Sequence, residues 1–234
     1  MIMVLEEKEK YNSEIYSKTA SFFGESSPLK ELHERSNINY EPRRQQREMA
    51  LAVAEALSVN KNLCVEAPTG VGKSFAYLVP AIHYALIANK PVIISTETIN
   101  LQDQLIQKDI PALQMTMGVK FSASLAKGRS NYLCHRRLEI ACGKHAEEYL
   151  AIDMVKTTIK KIAKWGEKTA DGSRSSIDFS FQKDAWHFVC CEIGNCMKNK
   201  CPYFKNCFYW SARKQWDASN IVVANHALFF TDLK

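Results

Sequence analysis

Apolar positions recur along this chain in two rhythms. In "PRRQQREMALAVAEALSVN" (42–60), Met49, Leu51, Val53, Leu57 and Val59 are spread among alanines and charges, which predicts a helix with Pro42 in its first turn. "NLCVEA" (62–67) is a short apolar run entering a glycine-rich turn, and a second helix is predicted from Lys73 to Asn89. "PVIISTE" (91–97) is the β-branched run of a buried parallel strand. A helix over 100–110 is expected to stop at Pro111, "KFSASLAKG" (120–128) reads as a third strand, and "NIVVANH" (220–226) as a fourth. Strands alternating with helices predict an α/β fold with a parallel sheet. Cys64, on the first of these strands, reads as a small core residue.

Two stretches break the rhythm. Residues 1–39 are polar and weakly patterned, and are expected to form short helices packed on the α/β domain. Between the third and fourth strands, residues 129–217 do not continue the alternation. Residues 144–168 are helical in pattern and rich in lysine (Lys156, Lys160, Lys161, Lys164, Lys168), "ADGSRSS" (170–176) is a flexible turn, and a cysteine loop comes after it. A long insertion in a compact α/β domain is usually functional. The expected organisation is an extension (1–39), the first part of an α/β domain (40–128), a mainly helical insertion (129–217) and a return strand (218–234).

Composition narrows the setting. Of 234 residues 46% are hydrophobic, enough for a sizeable core, and the net charge of +6 fits a polyanion partner. The N-terminus "MIMVLEEKEK" carries no hydrophobic region of signal-peptide length. The longest apolar stretch, Phe75–Ala88, is interrupted by Pro80 and His83 and is too short to span a bilayer. A cytoplasmic protein with no membrane association is expected. In a reducing compartment, eight cysteines point to metal or catalysis rather than to disulfides.

"EAPTGVGKS" (66–74) comes after a predicted strand and opens a predicted helix, the context of a phosphate loop. Gly70 and Gly72 let the backbone curl so that N–H groups of the loop, Thr69 and Val71 included, point at phosphate oxygens, and the helix N-terminus adds partial positive charge. Lys73 reaches the β- and γ-phosphates of ATP, and the Ser74 hydroxyl is placed to ligate Mg2+. Ala67 stands where the strict pattern has its first glycine, and A-x-x-G-x-G-K-S is the form found in helicases. Gln46, some twenty residues upstream, lies at the distance where many helicases place a glutamine against the adenine edge.

Cys134 is followed, after sixty-one residues, by Cys196, Cys201 and Cys207 in a C-x4-C-x5-C run. Four thiolates can hold a structural zinc or an iron–sulfur cluster. Wide, unequal spacing differs from the two tight knuckles of a zinc site, and both readings stay open on spacing alone. Cys142 lies on a helix. Cys190 and Cys191 are adjacent, a pattern that rarely serves one site, yet either could substitute for a ligand. Tyr203, Phe204, Phe208, Tyr209 and Trp210 interleave with Lys198, Lys200, Lys205, Arg213 and Lys214. Taken singly, each ring reads as packing around the cysteine site; taken together, rings and cations read as a single-strand nucleic-acid platform.

These pieces resemble the N-terminal part of a DinG/XPD-type superfamily 2 iron–sulfur DNA helicase, on the bacterial DinG side. "YEPRRQQREMA", "EAPTGVGKS", "VIISTETINLQDQL", "KGRSNYLCHRRL", "CMKNKCPYFKNC" and "IVVANHALF" stand in the family's order over residues 40–234. The resemblance implies a RecA-like P-loop parallel sheet with an inserted, mainly helical iron–sulfur domain. It implies Cys134, Cys196, Cys201 and Cys207 as ligands of a 4Fe-4S cluster, and ATP-driven 5′→3′ movement on single-stranded or forked DNA in repair or replication. Single-strand-binding or replication proteins are implied as partners. "STETINLQDQL" (95–105) corresponds to a motif that grips DNA phosphates, for which the hydroxyls of Ser95, Thr96 and Thr98 are suited. Glu97 stands where relatives often carry His. His226 reads as a structural residue at a strand end.

An ATPase of this class also needs a hydrophobic strand ending in D-E-A-H and arginines from a second RecA-like domain. The apolar strands here end in "VEA", "STE" and "ANH", so no catalytic residue is expected within these 234 residues. They read as a helicase front end (a shortened chain, a split gene or a degraded paralogue) that binds nucleotide and DNA but hydrolyses ATP negligibly. The alternative is a non-motor nucleotide- and DNA-binding module that keeps the cysteine domain, and a zinc-bearing P-loop protein is a third reading.

Overall fold

The computed structural model describes residues 14–30, 42–143 and 153–232. They fall into two compact units, one drawn from residues 1–125 and 218–229, the other from 126–217 and 230–234.

In the first unit, a helix over residues 14–22 (α1) brings Ile15 and Phe22 into the interior, with Phe23 and Leu29 just beyond it. The remainder of the expected N-terminal helices lies outside the described residues. Helix α2 (Arg44–Ser58) buries Gln46, Ala50 and Ala54, a stripe repeating every fourth residue, and packs on α3 (Lys73–Ile87). The small alanines let the two backbones approach closely. Helix α3 is buried nearly all round, from Ala76 to Ala85, and carries Pro80 in its interior. Both helices stop alike. Asn60 and Asn89 take left-handed backbone (φ 53° and 49°), and the next N–H returns to a carbonyl five residues back, Lys61 to Ala56 and Lys90 to Ala85.

The sheet has three parallel strands, β1 (Val92–Thr96), β2 (Ala123–Leu125) and β3 (Ile221–Asn225), in the order β1-β3-β2. Val222 of β3 lies opposite Ile93 on one side and Ser124 on the other. As the central strand, β3 buries Ile221 through Ala224 without alternation, because neighbours and helices cover both its faces. The strand expected over 62–67 is not formed. Leu63 and Val65 are 46% and 40% exposed, and Cys64 is exposed rather than in the core. An apolar run supplies a surface, but a strand is made by backbone pairing, and among the described residues nothing pairs with this one.

The helix expected to stop at Pro111 continues past it. Helix α4 (Ile99–Gln104) passes through one π-helical turn (Leu105–Asp109) into α5 (Ile110–Thr116). The wider turn restarts the hydrogen-bond register, so Pro111 falls in the first turn of a new segment, where its missing N–H matters least.

The second unit is built from α6 (His135–Cys142), α7 (Asp153–Gly166), α8 (Lys183–Val189) and α9 (Phe208–Asp217). The lysine-rich helix expected over 144–168 is present as α7 over its described part, and 144–152 lie outside the described residues. Val155, Ile159 and Ile162 of α7 meet Leu133, Ala185, Trp186 and Val189 in one cluster, while Lys160, Lys161 and Lys164 face solvent. The Trp186 indole donates to Ser130 O at 2.7 Å, and a Cβ on Gly166 would stand 2.7 Å from the end of the Leu133 side chain, which would have to shift to admit it.

Candidate functional site

The phosphate loop takes its shape from two residues in left-handed backbone, Gly70 (φ 86°) and Gly72 (φ 87°), with the Val71 side chain tucked inward between them. Gly72 caps α3, its carbonyl accepting from Ala76 N–H at 3.3 Å and from the Gln46 side-chain amide at 2.9 Å. Lys73 Nζ folds back over the loop and donates to the carbonyls of Ala67 (2.8 Å) and Pro68 (3.0 Å). An ammonium held by backbone carbonyls alone is poised to exchange them for anionic oxygens, which bind it more strongly. Thr69 is exposed on the rim, beside a cleft of about 540 Å³ lined by Arg43, Arg44, Gln45, Pro68, Thr69, Gly70 and Val71.

Ser74 lies one residue into α3, where the Tyr77 hydroxyl shares a hydrogen bond with it. Burial raises the Tyr77 hydroxyl above its ordinary range, the Ser74 bond opposes this, and Asp109 adds to it. All six loop residues picked out by sequence, from Thr69 to Ser74, thus stand in one turn, and Gln46 joins them from α2. Gln46 is buried with its amide on the loop backbone. Sequence reasoning missed Arg43, whose Nη1 donates to Gly70 O at 2.8 Å. The available signal was its place three residues before Gln46; it stands at the N-cap of α2.

At the carboxyl ends of the strands, the hydroxyls expected to meet phosphates divide. Thr96 is buried, its hydroxyl directed to Thr98 O and Ala224 O (3.3 and 3.5 Å). Thr98 caps α4, its hydroxyl accepting from Leu101 N–H at 3.2 Å. These two are therefore committed internally. Ser95 Oγ shares a 2.7 Å hydrogen bond with His226 Nδ1, at the start of α10 (His226–Asp232).

In the second unit, Cys134 caps α6, and Cys196, Cys201 and Cys207 stand on tight turns; all four are half-buried. Cys207 heads α9 and accepts from the N–H groups of Trp210 and Tyr209. Burial nevertheless dominates and, with the Cys134 and Cys196 thiols nearby, holds Cys207 above the ordinary thiol range. Burial opposes ionisation of Cys196 too, but the Lys198 N–H, the Trp210 indole and the Arg129 guanidinium together pull that thiol down. Trp210 Nε1 is buried without a closed hydrogen bond beside Cys196. Arg129 lies 4.3 Å from the Tyr209 ring centre and 5.5 Å from that of Trp210. Among the described residues no three His, Cys, Asp or Glu side chains converge closely enough to hold one metal ion.

The loop's rings pack on one another. Tyr209 is 1% exposed and meets Tyr132, Trp210 and Trp216 edge-on, while His135 sits against Phe208 and Tyr203. The cations divide: Arg213 lies over Trp216, whereas Lys198, Lys200, Lys205 and Lys214 are exposed.

Comparison with known proteins agrees with this geometry. Residues 44–175 match the DEAD/DEAH box helicase family model. The chain is 38% identical over 195 residues to the ATP-dependent DNA helicase YoaA of Escherichia coli K12, covering 83% of this chain and 30% of that protein. It is 35% identical over 205 residues to the ATP-dependent helicase DinG of Mycobacterium tuberculosis H37Rv, covering 81% and 31%. It is 32% identical over 202 residues to the ATP-dependent DNA helicase DinG of E. coli K12, covering 80% and 28%. The chain thus spans under a third of the length of these relatives. With a glycine-shaped phosphate loop and a family match over more than half its length, the chain belongs to the DEAD/DEAH box helicases.

Proposed function

We propose that this chain is the ATP-binding and cysteine-bearing part of an ATP-dependent 5′→3′ DNA helicase acting on single-stranded or forked DNA in repair or replication. The observation that carries the reading is the loop Gly70–Ser74, shaped by two left-handed glycines and braced from α2 by Gln46 and Arg43. In this reading Lys73 leaves Ala67 O and Pro68 O for the β- and γ-phosphates, loop N–H groups cradle them, and Ser74 turns its hydroxyl from Tyr77 to Mg2+. Gln46, whose amide N–H already holds Gly72 O, keeps its carbonyl oxygen for the adenine edge.

The cysteine site is read as the seat of a 4Fe-4S cluster held by Cys134, Cys196, Cys201 and Cys207. The donor set fits such a group: the four half-buried thiols stand among N–H groups from Lys198, Tyr209 and Trp210, a buried indole N–H without a closed partner and one guanidinium, and these donors favour sulfur in its charged form against the opposing effect of burial. When bound, the cluster supplies four anchorage points that tie the turns of 196–207 to Cys134. The exposed lysines of this loop contact DNA phosphates.

No D-E-A-H stands after an apolar strand in these 234 residues, which favours nucleotide and DNA binding without turnover by this chain alone. Titration with a fluorescent ATP analogue tests the site: Lys73→Ala is expected to weaken binding by about 10- to 100-fold, the value of a charge-assisted contact. Unchanged affinity would remove the phosphate-loop assignment. ATP turnover that is stimulated by single-stranded DNA and lost in Lys73→Ala would show the chain to be a complete motor.

A further inference from the structure

The second unit contains three thiols without a task in the four-ligand reading, those of Cys142, Cys190 and Cys191. Leu133 and Cys190 face each other across a short antiparallel bridge. It is closed by Cys134 N–H to Val189 O and by Cys191 N–H to Tyr132 O, both at 2.8 Å. Successive residues of such a ribbon point to opposite faces, so Cys134 and Cys191 lie together on the face away from Leu133 and Cys190. They are diagonal neighbours, within the span of two side chains.

The adjacent cysteines therefore differ in role. Cys190 belongs to the hydrophobic cluster with Leu133, Ile162 and Trp186. Cys191 is just as buried, at 3% exposure, and stands on the Cys134 face of the ribbon. Burial, and then the Cys196, Cys134 and Cys207 thiols, push its own thiol up to about 12, so three of the four expected ligands lie within electrostatic reach.

We propose that Cys191 is a reserve ligand of the cysteine site, able to take the place of Cys134. When the sulfur of Cys134 is removed, Cys191 releases its proton to water and its sulfur forms the bond to iron that Cys134 would have formed. No electron is transferred. The proposal rests on the cluster reading of the four cysteines.

The test is anaerobic reconstitution of the 234-residue chain with iron and sulfide, followed by iron and sulfide analysis and the visible spectrum. Wild type and Cys191→Ser are expected to load equally, near about four irons per chain. Cys134→Ser should keep at least about half of that iron, and Cys134→Ser/Cys191→Ser should lose about tenfold. Far-UV circular dichroism checks the fold of each variant, and Cys196→Ser, with and without Cys191→Ser, repeats the comparison at another thiol in reach. Equal iron in the single and double variants of both series overturns the proposal but leaves the cluster reading standing. Loss of iron in Cys191→Ser alone also overturns it, because the thiol would then be a primary ligand. A wild-type chain that takes up no iron and sulfide ends the cluster reading and this proposal together.

Discussion

At Gly72 two independent obstacles meet any side chain. Its φ of 87° disfavours L-residues, and an added Cβ would stand 2.2 Å from Gln46 Nε2. Gly70 has nearly the same φ, 86°, but nothing within 4 Å of an added Cβ. Gly70→Ala is therefore expected to lower stability by about 1 kcal/mol, and Gly72→Ala by about 2–3 kcal/mol. Removing the amide with Gln46→Ala should bring the effect of Gly72→Ala down to that of Gly70→Ala. Urea unfolding of the four variants measures this, and equal effects at the two glycines would show that the Gln46 contact does not constrain the loop. The two glycines were legible in the sequence because the motif is local. That Gln46 braces the loop depended on bringing together residues 26 apart in the chain.

At the scale of elements, cooperation between neighbours decided what pattern alone did not. Helix α4 starts where Thr98 accepts from Leu101 N–H, and the helical run then crosses Pro111 by one π turn. Thr98→Ala removes the cap and is expected to lower stability by about 1 kcal/mol, whereas Thr98→Ser should keep most of it; guanidinium unfolding of both variants checks the order. A proline ends a helix in a sequence reading because its ring blocks the regular register. Here the register itself shifts, and the apolar positions Leu105, Ile110 and Leu113 stay on the buried side. Three strands were legible as runs between helices, β1 and β3 through their β-branched residues. The run at 62–67 is also apolar, but pairing is a property of two segments and the described residues supply no second one.

At the scale of the whole molecule, stability should depend on pH through His83. This imidazole is buried at 6% exposure, and burial, followed by the charge of Lys18, lowers its pKa from 6.5 to about 4. The folded chain keeps it neutral where the unfolded chain takes up a proton. The contribution is thus complete above pH 6.5 and is lost as pH falls toward 4, on the order of 3 kcal/mol in all. The shift should therefore appear in urea transitions followed by far-UV circular dichroism and vanish in His83→Gln. A shift that survives His83→Gln would refute this assignment.

What the sequence alone determined is the chemistry carried by short, contiguous runs. The phosphate loop, the cysteine spacing and the parallel-strand character of "IVVAN" depend on which residue types stand side by side, and local backbone preference acts on those directly. Only the tertiary structure decided which chemically similar neighbours do different things. Thr96 is buried while Ser95 pairs with His226, Cys64 is exposed rather than in the core, and Cys190 and Cys191 face opposite ways across one ribbon. Burial and pairing are set by segments that arrive from far along the chain. A residue's type states what it can do, and those segments decide whether it is in a position to do it.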